Sequence, residues 1–181
     1  MTKLTPTAGQ ATSLPWLWLS LLVVIIDLGA KYVADNALDY GVPVQVLPIF
    51  DLTLLYNTGA AFSFLSDAGG WQRWAFAVIA TAVSIMLVVW LKRTPRNQWW
   101  LGMGLSLVLG GALGNLYDRV VHGYVVDFLS FHYSGYYFAA FNLADAAITA
   151  GAGLLIIDML FLAQDESKAN SKTADKDSDT P

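Results

Sequence analysis

Four long apolar runs set nearly everything else this chain can be. They lie at about Leu14–Tyr32, Trp71–Leu91, Trp99–Tyr117 and Phe141–Leu162, and a helix needs roughly 20 such residues to cross a hydrocarbon core. Backbone N–H and C=O groups find no water there, so a spanning segment must satisfy them internally. Unbroken runs of this length do so as helices and are too long for barrel strands. The expected fold is an all-α integral membrane protein with four transmembrane helices. The first run outlasts the apolar core of a cleaved leader, only Lys3 precedes it, and Asp27 and Lys31 stand where a cleavage region would be. It is therefore read as a retained span. Charged residues make up only 13% of the 181, about half the share in soluble proteins. The seven Trp and eight Tyr suit membrane interfaces, where a ring is apolar at one end and wet at the other.

Orientation follows from Lys and Arg in the short loops. Lys92, Arg93 and Arg96 crowd the connection between the second and third spans, the segment 34–70 has no Lys or Arg, and the tail carries Lys168, Lys172 and Lys176. Both termini and the short middle loop are expected in the cytoplasm, with the two long loops outside. The expected organisation is a cytoplasmic segment 1–13, a membrane domain 14–163 and a polar, disordered cytoplasmic tail 164–181. In the first outer loop Val44, Val46, Phe50, Leu52 and Leu54 alternate, interrupted by Pro48, which predicts one or two short strands. The second, about 120–140, is rich in Tyr and Phe with a turn at Ser134–Gly135. Together they predict a small sheet lying on the outer membrane surface.

Several chemistries drop out. With no cysteine there is no disulfide, zinc-thiolate site or thiol nucleophile. His122 and His132 lie apart from any HExxH pattern, which disfavours a zincin. Much of the acid behind the net charge of −4 sits in the tail, from Asp165 and Glu166 through Asp175, Asp177 and Asp179, and no basic surface suggests nucleic acid.

What remains is a set of polar residues that are expensive in a membrane, at about 2.5–3.5 kcal/mol or more per charge at a helix centre. Asp27 and Lys31 lie near the outer end of the first span, Asn115, Asp118 and Arg119 at the outer end of the third, Asp127 in the second outer loop, and Asn142 and Asp145 at the outer start of the fourth. Under the assigned topology all of them reach one membrane face. Asp27 and Lys31, spaced i, i+4, share a helix face and fit a structural pair, with snorkelling of Lys31 as the other bland reading. Arg119 sits one turn from Asn115 and fits either an interfacial anchor or a clamp on a polar substrate group. Asp127, in VVDF, is either a turn cap or a functional acid. Asp145, one turn from Asn142 in an apolar helix, is a functional candidate by position. Gly110, Gly111, Gly114 and Gly151 suit close helix packing. From residues alone, a small proton-coupled membrane transporter is the main alternative to a hydrolase. Transporters, however, gather ionisable groups near the midplane around internal repeats, and no repeat is evident here.

Five local patterns occur in order: DLGAK (Asp27–Lys31), NTGAAF (Asn57–Phe62), GGALGNLYDR (Gly110–Arg119), VVDF (Val125–Phe128) and FNLADAAI (Phe141–Ile148). Set among four spans, this combination closely resembles the bacterial lipoprotein signal peptidase (signal peptidase II) family over about Leu14–Leu162. The resemblance implies an intramembrane aspartyl endopeptidase of the bacterial inner membrane. Such an enzyme acts near the periplasmic face, removing the signal peptide of diacylglyceryl-modified prolipoproteins just before the lipidated cysteine. It implies catalytic roles for Asp127 and Asp145, with Asn57, Gly59, Asn115, Asp118, Arg119, Asn142, Asp27 and Lys31 binding substrate or supporting the site. It further implies no cofactor or metal, a monomer, and prolipoprotein and membrane lipids as partners. Ala30 departs from the family, where many members have Ser or Thr before the lysine. Two carboxylates held together would share one proton, and the sequence leaves open which is acid and which is base.

Overall fold

The computed structural model describes residues 11–59 and 70–162. A 3-10 turn at Leu14–Trp16 leads into α1 (Leu17–Ala37); β1 (Val44–Leu47) and β2 (Phe50–Asn57) follow; then come α2 (Trp71–Arg93), α3 (Trp99–Val121), β3 (Val125–Tyr133), β4 (Tyr136–Tyr137) and α4 (Leu143–Ile157), which ends in a π turn at Asp158–Leu162. All four helices are long and apolar enough to cross a membrane, α4 together with its π turn. At 23 residues, α2 and α3 each extend roughly 34 Å. At the end that carries the sheet, α1 and α3 run further than their apolar runs suggest, because Val33–Ala37 and Asp118–Val121 continue the helix, whereas α2 begins at Trp71 as expected and is extended by Lys92 and Arg93 at the opposite end. The fourth begins two residues later than expected: Phe141 and Asn142 precede it.

The bundle is built around α3, which packs on α1, α2 and α4. Its glycines explain the close approach. A side chain on Gly111 would collide with the Ala144 carbonyl, and one on Gly110 with Val23 and the Ser20 carbonyl. On the other helix, Gly151 sits against the Gly104 carbonyl and Val108. Leu87 and Leu91 of α2 pack with Leu101, Leu105 and Leu109 of α3 as a buried apolar cluster. By contrast, α1 is built inside out. Ser20, Asp27, Lys31 and Ala34 form its buried stripe, while Leu21, Ile25, Ile26 and Val33 are exposed, as lipid-facing positions should be. At one end of the bundle the start of the chain meets the α2–α3 connection, through Ser13 N–H to the Thr94 carbonyl (2.9 Å) and Arg96 N–H to the Ala11 carbonyl (2.9 Å). That end carries Lys92, Arg93 and Arg96.

At the other end lies an antiparallel sheet of order β1-β2-β3-β4. Pro48 and Ile49 form the β1–β2 turn, with Leu47 opposite Phe50; Asn57 lies opposite Val125 and Leu55 opposite Asp127. Tyr133 pairs with Tyr136 across Ser134 and Gly135, whose φ values of 50° and 84° are those of a tight hairpin. The expected sheet and turn are present. The tail 164–181, the segment 1–10 and Ala60–Phe62 of the NTGAAF pattern lie outside the described residues.

Candidate active site

The polar residues converge where α1, α3, α4 and β3 meet. Asp127 lies within β3, which excludes the turn-capping reading, and is only 3% exposed. Strand alternation turns Val125 and Asp127 toward one cavity and Val126 toward the opposite side. Asp145 occupies the third position of α4, and Asn142 is that helix's N-cap rather than a residue within it. The two residues form a reciprocal capping box: Asp145 N–H donates to Asn142 Oδ1 (3.0 Å), and Asn142 N–H donates to Asp145 Oδ2 (3.3 Å).

Three asparagine amides are then fixed by the same logic. Each carboxamide oxygen is occupied by a donor, so each NH₂ turns to a carboxylate. Asn142 Oδ1 takes the Asp145 N–H, and its Nδ2 donates to Asp127 Oδ1 (2.7 Å). Asn57 Oδ1 takes the Gly59 N–H (3.0 Å), and its Nδ2 donates to Asp127 Oδ2 (3.1 Å). Asn115 Oδ1 takes Lys31 Nζ (2.9 Å), and its Nδ2 donates to Asp145 Oδ1 (2.8 Å). Asn142, fully buried, thus links both acids directly.

Behind Asn115 stands a buried ionic group. Lys31 Nζ is 2.7 Å from Asp27 Oδ2 and 2.9 Å from Asp118 Oδ2, and all three side chains are at most 3% exposed. The expected Asp27–Lys31 pair is present with a second acid added. Asp27 Oδ1 also accepts the Ala144 N–H (2.8 Å), tying α1 to the start of α4, and Asp118 Oδ2 accepts the Val126 N–H (3.2 Å), tying α3 to β3. Arg119 points away from its neighbour Asp118 and donates back to the Asn115 carbonyl (3.2 Å).

A cavity of about 280 Å³ is lined by Asn57, Asn115, Arg119, Asp127 and Asp145 on its polar side and closed by Ala139, Ala140, Phe141 and Ile148. A second cavity of about 430 Å³ shares Asn57, Asp127, Ala139 and Ala140 and continues over the sheet to Tyr40, Tyr56, Tyr137 and Phe138. Burial pushes the Asp127 carboxyl up to about 6; the Asn57 hydrogen bond opposes this, the Asp145 charge adds to it, and Asn142 and Lys31 oppose it. Two acids in one cavity, one of them poised near neutrality, can hold a single proton between them.

Each residue expected at the site from the sequence lies in this assembly, Gly59 through its N–H to Asn57. Sequence reasoning missed the alanine wall at 139 and 140, which carries no chemical signature, and the backbone N–H groups of Ala144 and Val126, which no sequence pattern reports.

The Signal peptidase (SPase) II family model matches residues 19–161. The chain is 58% identical over 156 residues to a lipoprotein signal peptidase of Pseudomonas putida, covering 85% of this chain and 91% of that one. It is 50% identical over 161 residues to a lipoprotein signal peptidase of Alteromonas mediterranea, covering 89% and 88%. A solved structure described as a bacterial membrane enzyme, at 2.3 Å resolution, superposes with a TM-score of 0.72 at 34% identity, covering 81% of this chain and 87% of that one. Another, at 1.9 Å, gives 0.70 at 34% identity, covering 81% and 93%.

Proposed function

The chain belongs to the signal peptidase II family, and from that premise we propose that it removes signal peptides from prolipoproteins with Asp127 and Asp145 as its catalytic pair. The observation that carries the assignment is Asn142: one buried residue that donates from its side chain to the Asp127 carboxylate and from its backbone N–H to the Asp145 carboxylate, holding both acids at the wall of one cavity. Such a pair cleaves an amide without a metal or organic cofactor. The ionised member takes a proton from water as the water oxygen adds to the scissile carbonyl carbon, and the neutral member gives its proton to the carbonyl oxygen. The acid that took the water proton then gives it to the leaving nitrogen as the C–N bond breaks, and the other carboxylate takes a hydroxyl proton back as the carbonyl re-forms, which restores the one-proton pair. Asp127 suits the proton-carrying role, since burial in β3 and the neighbouring Asp145 charge both favour its neutral form. Asp145 then serves as base. Arg119, on the same wall, is suited to stabilise the negative charge that builds on the carbonyl oxygen as the proton from Asp127 is transferred.

The substrate reading is a prolipoprotein bearing a diacylglyceryl-cysteine, cut just before that cysteine. The alanine and Ile148 wall leaves room for small residues and acyl chains on the bilayer side, and the aromatic cavity over the sheet suits the chain beyond the cut. The enzyme is read as a monomer in the bacterial inner membrane, with both termini cytoplasmic and the sheet on the periplasmic side, because the basic residues cluster at the end opposite the acids. The transporter alternative has no support: the acids surround a cavity at one end of the bundle, and the relatives are peptidases.

The test is cleavage of a diacylated prolipoprotein in detergent, read by gel shift. Asp127→Asn and Asp145→Asn should each abolish cleavage while the protein inserts and folds normally. Normal cleavage by either variant would remove the pair from the mechanism. An unlipidated precursor should remain uncut by the native enzyme.

A further inference from the structure

Arg119 is the cation on the cavity wall, yet among the described residues it forms no ion pair within 4.0 Å and makes a single hydrogen bond, to a carbonyl of its own helix. A long side chain held so lightly would sample many rotamers, and its position beside two acids would be poorly defined. Something else must set it.

The contacts of α2 supply the answer. Arg73, in the first turn of α2, donates from Nε to the Arg119 carbonyl (2.6 Å) and from Nη2 to the Val120 carbonyl (2.7 Å). These carbonyls sit in the last turn of α3, where helical partners run out, and a guanidinium there satisfies them and complements the negative end of the helix dipole. The seat is shaped for it. Gly123 has φ of +89°, and a Cβ at that position would stand 3.0 Å from Arg73 Nη1. Arg73 also lies over the Trp74 ring, 4.9 Å from its centroid. One turn further along α2, Phe76 presents its ring 5.4 Å from the Arg119 guanidinium carbon. Thus α2 holds Arg119 twice, by its backbone through Arg73 and by its side chain through Phe76.

We propose that Arg73 and Phe76 are positioning residues that seat the Arg119 guanidinium against the two-aspartate cavity, so that α2 takes part in the chemistry through α3. This rests on the reading of Asp127 and Asp145 as the catalytic pair. A cation near the pair eases loss of its shared proton and meets the developing oxyanion. Loosening the seat should therefore lower kcat and move the basic limb of the pH profile upward, two effects that a general loss of folded protein would not produce together.

The experiment measures kcat, KM and the pH dependence of kcat for Phe76→Leu, Arg73→Gln and Arg73→Lys in detergent, with Asp127→Asn and Asp145→Asn in the same assay. Phe76→Leu keeps the apolar volume and loses only the ring face. The expected result is a fall in kcat of roughly three- to thirty-fold, the span such a contact is worth, with KM little changed. The basic limb should shift to higher pH in Phe76→Leu and Arg73→Gln, and Arg73→Lys should recover part of both effects. If the aspartate variants are inactive while the limb stays at its native pH in both seat variants, the positioning role is wrong and the catalytic pair stands. If either aspartate variant cleaves normally, the catalytic reading itself fails, and this inference with it.

Discussion

Replacing Lys31 by Met should be among the most damaging single changes outside the catalytic pair. The ammonium lies 2.7 Å from Asp27 and 2.9 Å from Asp118, and neither acid is more than 2% exposed. Removing one member of a buried ion pair typically costs about 3–5 kcal/mol, because the partner is left as an uncompensated charge. Here two carboxylates lose the same cation, so the upper part of that range applies. For a chain of this size about 1 kcal/mol moves Tm by roughly 2–4 °C, so the fall should be on the order of 10–20 °C in detergent. The triple variant Asp27→Asn, Lys31→Met, Asp118→Asn restores neutrality, and each amide oxygen can still accept the Ala144 or Val126 N–H. It should regain most of the Tm but not the full activity, because Asn115 Oδ1 keeps only the longer bond from Asn142 Nδ2 (3.2 Å) and loses the ammonium that helps turn its NH₂ toward Asp145. A single variant melting within about 2 °C of the native protein, or a triple variant no more stable than the single, would refute the view that charge compensation dominates at this position.

Asp127, raised from 3.8 to about 6, binds more proton folded than unfolded across that interval. Stability should therefore fall as pH rises through it, and Asp127→Asn should gain on the native enzyme by roughly 2 kcal/mol between pH 4 and pH 7, measured as paired melting curves. The same shift sets the pH profile: kcat/KM should fall above about pH 6 as the pair loses its shared proton, and a profile level from pH 5 to 8 would contradict a one-proton mechanism. Gly151→Ala puts a Cβ 2.7 Å from the Gly104 carbonyl and 2.9 Å from Val108 N, so α3 and α4 must part at a cost of about 1–3 kcal/mol, seen as a lower Tm. Because the chain has no cysteine, single substitutions report topology cleanly: Ser134→Cys should react with an impermeant thiol reagent from the periplasmic side, and Asn97→Cys only after the inner membrane is opened.

The spans were legible because hydrocarbon leaves few ways to bury a backbone, so length and hydropathy alone fix the element type. Their outer ends were not. Residues 118–121 continue α3 through charge, since its terminal carbonyls are met by Arg73 and by the Gly123 turn, neither of which hydropathy registers. The sheet was legible in outline, because alternation about Pro48 and the Ser134–Gly135 pair are local signals, whereas the β2–β3 pairing is a long-range match between segments some 70 residues apart in chain order.

The candidate site divides in the same way. Charged residues inside a membrane announce themselves by their cost, and those of the spans at the end that carries the sheet joined one network. Their partnerships were only half visible: Asp27 and Lys31 paired as their spacing allows, but spacing could not supply Asp118, which arrives from another helix. Asn142 was read as a polar residue inside α4, and its position as the N-cap changes what it can do. An N-cap has extended backbone and a side chain turned back over the helix start, and from there its amide reaches β3 as well. Among the described residues, the one that bonds to both acids does so because α4 begins after it. Moving that cap would therefore disturb both acids at once, by a route that leaves either carboxylate itself untouched.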